Sequence, residues 1–188
     1  MLPRRIEGYA IISADGMLAN ADGIMPDALK FPGDQRFFEQ GLDGANAVAH
    51  GAHSHELQTR SHLRHRLILT RRVATLAPDP SNAKALLWNP AGASFEDAWR
   101  ALGADGTLTV IGGTEVFGLF LARYDVFYLS HAPHVRLPGG RPVFPGVPAR
   151  APAAMLSSSG LVAGSVQVLD AANEVTVTTW QRVQRATG

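Results

Sequence analysis

Short apolar runs rich in β-branched residues recur along the chain, and segments with helical spacing of apolar positions separate them. The clearest run is Leu108-Thr-Val-Ile111, which suits a buried parallel strand and is broken by Gly112-Gly113. Val116, Phe117, Phe120 and Leu121 then fall on one helical face. Tyr9 to Ser13 reads as the first strand, ended by the turn signal Ala14-Asp15-Gly16. Further strands are predicted at Ala45 to His50, ending at Gly51, and at Leu67–Thr70, Ala85–Trp88 and Val126–Ser130. Pro32-Gly33-Asp34 starts a helix with Phe37, Phe38 and Leu42 on its inner side, and Ser54 can cap a short helix near His55 and Glu56. Ser94 caps another helix through Phe95, Ala98, Trp99 and Leu102. Val166–Leu169 and Val175–Trp180 alternate apolar with polar around Asp170 to Asn173, the pattern of a late antiparallel hairpin.

Two stretches lack a period. Met17 to Lys30 carries Asn20, Asp22-Gly23 and Pro26, and a loop of that length usually serves as a lid or binding loop. Leu137 to Pro152, rich in proline and glycine, reads as an ordered surface loop, and Ser157-Ser-Ser159 as a loop too. Strands separated by helices and closed by a hairpin imply an α/β fold. It would be a three-layer sandwich whose mixed, mostly parallel sheet carries helices on both faces. The 188 residues fit one domain, 1–188, and no repeat or linker divides them.

Composition narrows the chemistry. At 46% hydrophobic and 18% charged, the chain is of globular type. A net charge of +1 leaves no footprint for nucleic acid or an anionic membrane, and no apolar run approaches the roughly 20 residues that span a bilayer. The N-terminus has no secretory core, so a cytoplasmic protein is expected. The absence of cysteine excludes disulfides, thiolate metal sites and thiol nucleophiles.

A strand, two glycines and a helix start can receive a phosphate-bearing ligand, because the backbone comes close and unpaired N–H groups face the anion. An ordinary strand–turn–helix has the same signature. His50, His53, His55 and Glu56 form one cluster of metal-ligand types, and His131 with His134 another. No i, i+4 helical pair is present and His50 would point away from the following loop, so no metal is expected. No Gly-x-Ser-x-Gly elbow supports a hydrolase.

Three segments resemble the dihydrofolate reductase superfamily, and within it the reductase domain of the bifunctional riboflavin-biosynthesis deaminase–reductase. Ser13-Ala-Asp-Gly-Met-Leu-Ala19 is similar to the Ser-x-Asp-Gly-x-x-Ala opening of the riboflavin-type reductases. Asp34-x-x-Phe37, with the strand to Gly51, is similar to the substrate helix and next strand of both branches. Val110-Ile-Gly-Gly-Thr-Glu-Val-Phe117 through Leu129-Ser130 is similar to the cofactor segment and is the most specific of the three. The resemblance runs from about Gly8 to Pro145, with the hairpin matched by pattern.

The resemblance implies an NADPH-dependent reductase acting on a small pterin-like or ribosylaminopyrimidine-like substrate. The backbones of Ile11 and Leu18 would bind the nicotinamide carboxamide, with Ile111, Gly112, Gly113, Thr114, Glu115 and Val116 forming the diphosphate segment. Gly51, His53 and Ser54 would meet the nicotinamide ribose and the phosphates; Ala52 stands where many folate enzymes have an arginine. Thr70, Arg71 and Arg72 would seat the adenosine ribose, and two guanidinium groups without a nearby carboxylate favour a 2′-phosphate, hence NADPH over NADH. The same pair also reads as a solvated turn. Asp34 is the catalytic and substrate-binding candidate; it equally fits a first-turn acid worth about 0.3–1 kcal/mol to its helix. Phe37 belongs with it, and Arg64 would meet a glutamate tail or ribose phosphate, or be a solvated basic turn beside Arg60, His62 and His65.

The loop near Met25-Pro26 lacks a tryptophan typical of folate enzymes, which favours the riboflavin type. Without a zinc deaminase domain, the chain would not perform the preceding deamination. Two alternatives stand beside this reading: dihydrofolate reductase proper, and an NADPH-binding module without turnover. The resemblance also implies a homodimer, with the hairpin strands as candidate interface.

Overall fold

A computed structural model describes residues 2–52 and 61–183. The strands are β1 (Arg5–Ser13), β2 (Met17–Ala19), β3 (Ala47–Gly51), β4 (His65–Leu69), β5 (Leu76–Pro78) and β6 (Ala85–Trp88). They continue with β7 (Thr107–Gly112), β8 (Val126–Ala132), β9 (Arg141–Pro142), β10 (Leu161–Asp170) and β11 (Val175–Arg182). The helices are α1 (Pro32–Asp43), α2 (Phe95–Leu102), α3 (Thr114–Leu119) and α4 (Pro152–Ser158).

Nine strands form one sheet in the order β10-β11-β8-β1-β7-β3-β4-β6-β5. The six from β8 to β6 run parallel, while β5, β11 and β10 are antiparallel to their neighbours. The mixed sheet and its closing hairpin therefore match the expectation from the sequence. Strand alternation separates two faces. On one, Tyr9 and Tyr128 stack with ring centres 4.5 Å apart and meet Phe37 and Phe38 of α1. Gly41 allows that approach, because a Cβ there would lie 2.5 Å from the Tyr9 ring.

On the other face Phe127 packs with Phe117 of α3, Tyr124 and Phe144 at 5.0–5.7 Å. Phe95 of α2 meets Trp88 and Phe120. Each such ring pair adds about 0.5–1.5 kcal/mol beyond its buried area. Ser94 caps α2 as its sequence implied, accepting from the Asp97 N–H.

Four expectations change. The Met17–Lys30 stretch holds β2 and a 3₁₀ turn at Asp27–Leu29, with β2 paired to β9. The proline-rich stretch after Leu137 buries Leu137, Val143, Phe144 and Val147 and so belongs to the core. It leads into α4, whose last residues are Ser157 and Ser158. Finally, α3 ends at Leu119, and Leu121 lies in a separate 3₁₀ turn.

Candidate functional site

Because β1, β7, β3, β4 and β8 are parallel, their carboxyl ends line one edge of the sheet. Ligands of open α/β sheets bind outside such an edge. It collects Ser13, Gly112, Gly51, Leu69 and Ala132, and α1 returns from it with Asp34 in its first turn.

Asp34 is half-buried and hydrogen-bonded to the Ser130 side chain. Desolvation dominates and raises its pKa above the ordinary carboxylate value, while the Ser130 hydrogen bond pulls the other way. Ser130, 3% exposed, is the register partner of Ile11 on β1. The carboxyl thus sits over the β1–β8 pair, near the backbone expected to meet a nicotinamide. Sequence reasoning left Ser130 out of the site, although a lone serine among Val126, Phe127 and Leu129 was the available signal. Phe37 lies half-buried against Tyr9 and Tyr128, one turn along α1 from Asp34.

At the end of β7, Gly113 has φ 88° and precedes α3, whose N-terminus no side chain among the described residues caps. A Cβ at Gly113 would meet Val116 Cγ2 at 3.4 Å, and one at Gly51 would meet the same atom at 3.7 Å. The two glycines therefore converge on one buried residue and leave bare backbone at the ends of two adjacent strands. Ile111 is half-buried, Gly112 buried and Glu115 exposed. The Thr114 hydroxyl donates to the Pro142 carbonyl at 2.5 Å, tying α3 to β9.

Thr70 follows β4, and its hydroxyl accepts from the Arg72 N–H at 3.2 Å. Arg71 and Arg72 are exposed there. Arg64 differs from a solvated cation: it is 6% exposed, and Nε donates to the Leu42 carbonyl at 2.9 Å. A second guanidinium nitrogen lies 3.9 Å from Asp43. The group satisfies the carbonyl end of α1, where positive charge is favoured. Nothing in the spacing around Arg64 announced that contact. His53 and Ser54, with the short helix near His55 and Glu56, lie outside the described residues. Among the described residues no three His, Asp or Glu side chains could hold a metal ion. No helix among them is long and apolar enough to cross a membrane.

The Ser13-x-Asp15-Gly16 sequence fastens the loop beyond β1. Ser13 Oγ donates to Asp15 and accepts from the Met17 N–H at 3.0 Å. Asp15 accepts the Leu137 N–H at 3.1 Å, and the Gly16 carbonyl accepts the Val143 N–H at 3.1 Å. Desolvation acts against ionisation, yet the hydrogen bonds from Ser13 and Leu137 hold the Asp15 carboxyl below its ordinary pKa. These bonds pin β2, and with it the Leu18 backbone, beside the edge.

No family model and no curated protein matches the chain. Solved structures do. A putative riboflavin biosynthesis protein from a Shewanella species superposes with a TM-score of 0.66 at 17% identity, covering 96% of this chain and 99% of that one. Dihydrofolate reductase from Enterococcus faecalis, complexed with NADP(H) and RAB-propyl, gives 0.65 at 19%, covering 96% and 97%. A deaminase and 5-amino-6-(5-phosphoribosylamino)uracil reductase from Thermotoga maritima gives 0.63 at 18%, covering 96% of this chain and 57% of that one. The fold is therefore dihydrofolate reductase-like, the architecture also found in the riboflavin-type reductases.

Proposed function

We propose that the chain is an NADPH-dependent reductase of a pterin-like or ribosylaminopyrimidine-like substrate. The observation that carries this is the strand order. The segments expected to touch successive parts of the dinucleotide lie on β1, β7, β3 and β4, which are consecutive in the sheet. At roughly 4.8 Å per strand they span about 14 Å. A dinucleotide along that edge would meet Ile11 and Leu18 with its nicotinamide, Gly112–Val116 and Gly51 with its diphosphate, and Thr70–Arg72 with its 2′-phosphate. The bare backbone at Gly51 and Gly113 fits the close approach of a diphosphate. The two exposed guanidinium groups fit a phosphate monoester.

Bound NADPH supplies the hydride. The chain's own part is orientation and exclusion of water. Asp34 accepts paired hydrogen bonds from the amidine-like edge of the substrate, and Ser130 holds the carboxyl in place. Phe37, with Tyr9 and Tyr128, supplies an apolar wall below it, and the Met17–Lys30 loop covers the edge. Mixing the protein with NADPH and dihydrofolate or aminopyrimidine candidates, and following loss of the reduced nicotinamide's absorbance, tests the reading. Turnover with a pyrimidine candidate supports the riboflavin type, and turnover with dihydrofolate the folate type. Binding without oxidation of any candidate would leave an NADPH-binding module.

A further inference from the structure

The first turn of α1, which carries Asp34, meets the closing hairpin backbone to backbone. A Cβ built on Gly33 would overlap the Leu169 carbonyl oxygen and lie 2.8 Å from the carbonyl carbon. Main chain of β10 thus occupies the place where a side chain would begin, and no rotamer change can move it aside. The register explains why Leu169 is there. Val168 stands opposite Thr176 and Asp170 opposite Val175, so Leu169 is an extra residue, a β-bulge on the edge strand. A bulge bends its strand and leaves the extra residue outside the ladder, which re-aims it. Here the half-buried Leu169 is aimed at α1.

Asp34 follows Gly33 directly, and its carboxyl reaches Ser130 on β8. Ser130 stands opposite Val177 on β11, and Val177 opposite Gln167 on β10. One hairpin therefore bounds the turn twice, by the Leu169 carbonyl behind Gly33 and by the pairing that holds Ser130. The other end of α1 is held separately, by Gly41 against the Tyr9 ring and by Arg64 at the Leu42 carbonyl. Gly41 lies about 10 Å along the helix from Asp34. The charged groups around the turn are engaged elsewhere or exposed: Asp170 accepts from Asn173, Lys30 pairs with Asp27, Glu7 pairs with Arg5, and Arg36 is exposed. His131, next to Ser130 on its strand, points to the opposite face. Packing, more than a neighbouring charge, therefore sets the surroundings of Asp34, where desolvation outweighs the Ser130 hydrogen bond.

We propose that Gly33 is a positioning residue for Asp34: its missing side chain lets the bulged β10 backbone close on the first turn of α1, and that contact sets how deeply the carboxyl sits over the β1–β8 pair. Only the turnover arm of the test rests on the reductase reading. The Asp34 titration midpoint, followed by carboxyl carbon resonance in the full chain, needs no substrate. Gly33→Ala should lift the turn off the hairpin, admit water and move the midpoint down toward the ordinary carboxylate value. Gly41→Ala, which displaces the other end of the same helix, should lower the melting temperature and leave the midpoint in place. Deletion of Leu169 regularises the register and removes the carbonyl, so it too should lower the midpoint. Gly33→Ala should then add little to the deletion, the mark of a shared contact. The deletion alone carries the test should Gly33→Ala not fold. With a substrate that turns over, Gly33→Ala should cut kcat at least about tenfold and leave NADPH affinity within a few fold, since a misplacement of about 1 Å can cost about 100-fold. A midpoint that moves as stated in a chain without turnover would uphold the positioning role and remove the reductase reading. An unmoved midpoint in Gly33→Ala or in the deletion, an equal shift in Gly41→Ala, or additive shifts in the double variant would overturn the proposal.

Discussion

At Asp34 two influences oppose each other, and burial wins over the Ser130 hydrogen bond. A carboxyl whose pKa is raised on folding binds more protons folded than unfolded. Its contribution therefore erodes stability as pH rises from the ordinary carboxylate range through the folded value. Asp34→Asn removes that cost. The melting temperature at neutral pH should rise by a few degrees, the response of a chain this size to about 1 kcal/mol, while turnover is lost and NADPH affinity stays within a few fold. Thermal melts and cofactor titrations of the variant check both halves, and a collapse of cofactor binding would show Asp34 to be misplaced. Ser130→Ala should lift the Asp34 titration midpoint further, as read by carboxyl carbon resonance. Replacing Arg71 and Arg72 with glutamine should weaken NADPH about tenfold or more and leave NADH nearly unchanged. Equal losses for both nucleotides would return the pair to a solvated turn.

Among the elements, those with a strong local signal were legible. Ser94 followed by Phe95, Ala98, Trp99 and Leu102 located α2, and the β-branched run before Gly112 located β7. Three residues ending in Pro78 carry too little pattern to announce β5, and α4 is a short Pro-Ala-Ser-rich turn whose helix is set by packing. The Ser13-x-Asp15-Gly16 segment was visible as a resemblance, but its role as a clasp was not, since Leu137 is 122 residues from Asp15. Asp15's lowered pKa means that its stabilisation is present above the ordinary carboxylate range and disappears as pH falls through its folded value. Asp15→Asn should speed hydrogen exchange at the Leu137 and Val143 amides about tenfold at neutral pH, the loss of roughly one charged hydrogen bond. Unchanged exchange would mean that β2 and β9 hold the loop without it.

For the whole molecule, the strand order does what no single motif could, because it converts scattered segments into neighbours along one edge. The sequence named most segments of that edge, while their adjacency came only from long-range pairing. Among the described residues the sheet also ends in an open edge at β10, where Val162, Val166 and Val168 are 55–63% exposed. Uncovered apolar edges invite pairing with another chain. The expected homodimer should therefore sediment at twice 20.0 kDa and dissociate in a Val166→Lys, Val168→Lys variant. A wild-type monomer at micromolar concentration would remove that expectation.

Calorimetric titration of NADPH into the wild type and Gly113→Ala probes the dinucleotide edge at its glycine bend. Gly113 holds φ 88°, which an alanine adopts only at a cost of about 1–3 kcal/mol. One NADPH should bind per wild-type chain, and a variant that remains folded should bind it at least about tenfold more weakly. A wild type that takes up no NADPH, or a Gly113→Ala variant that binds it equally well, would mean that no dinucleotide lies against this bend.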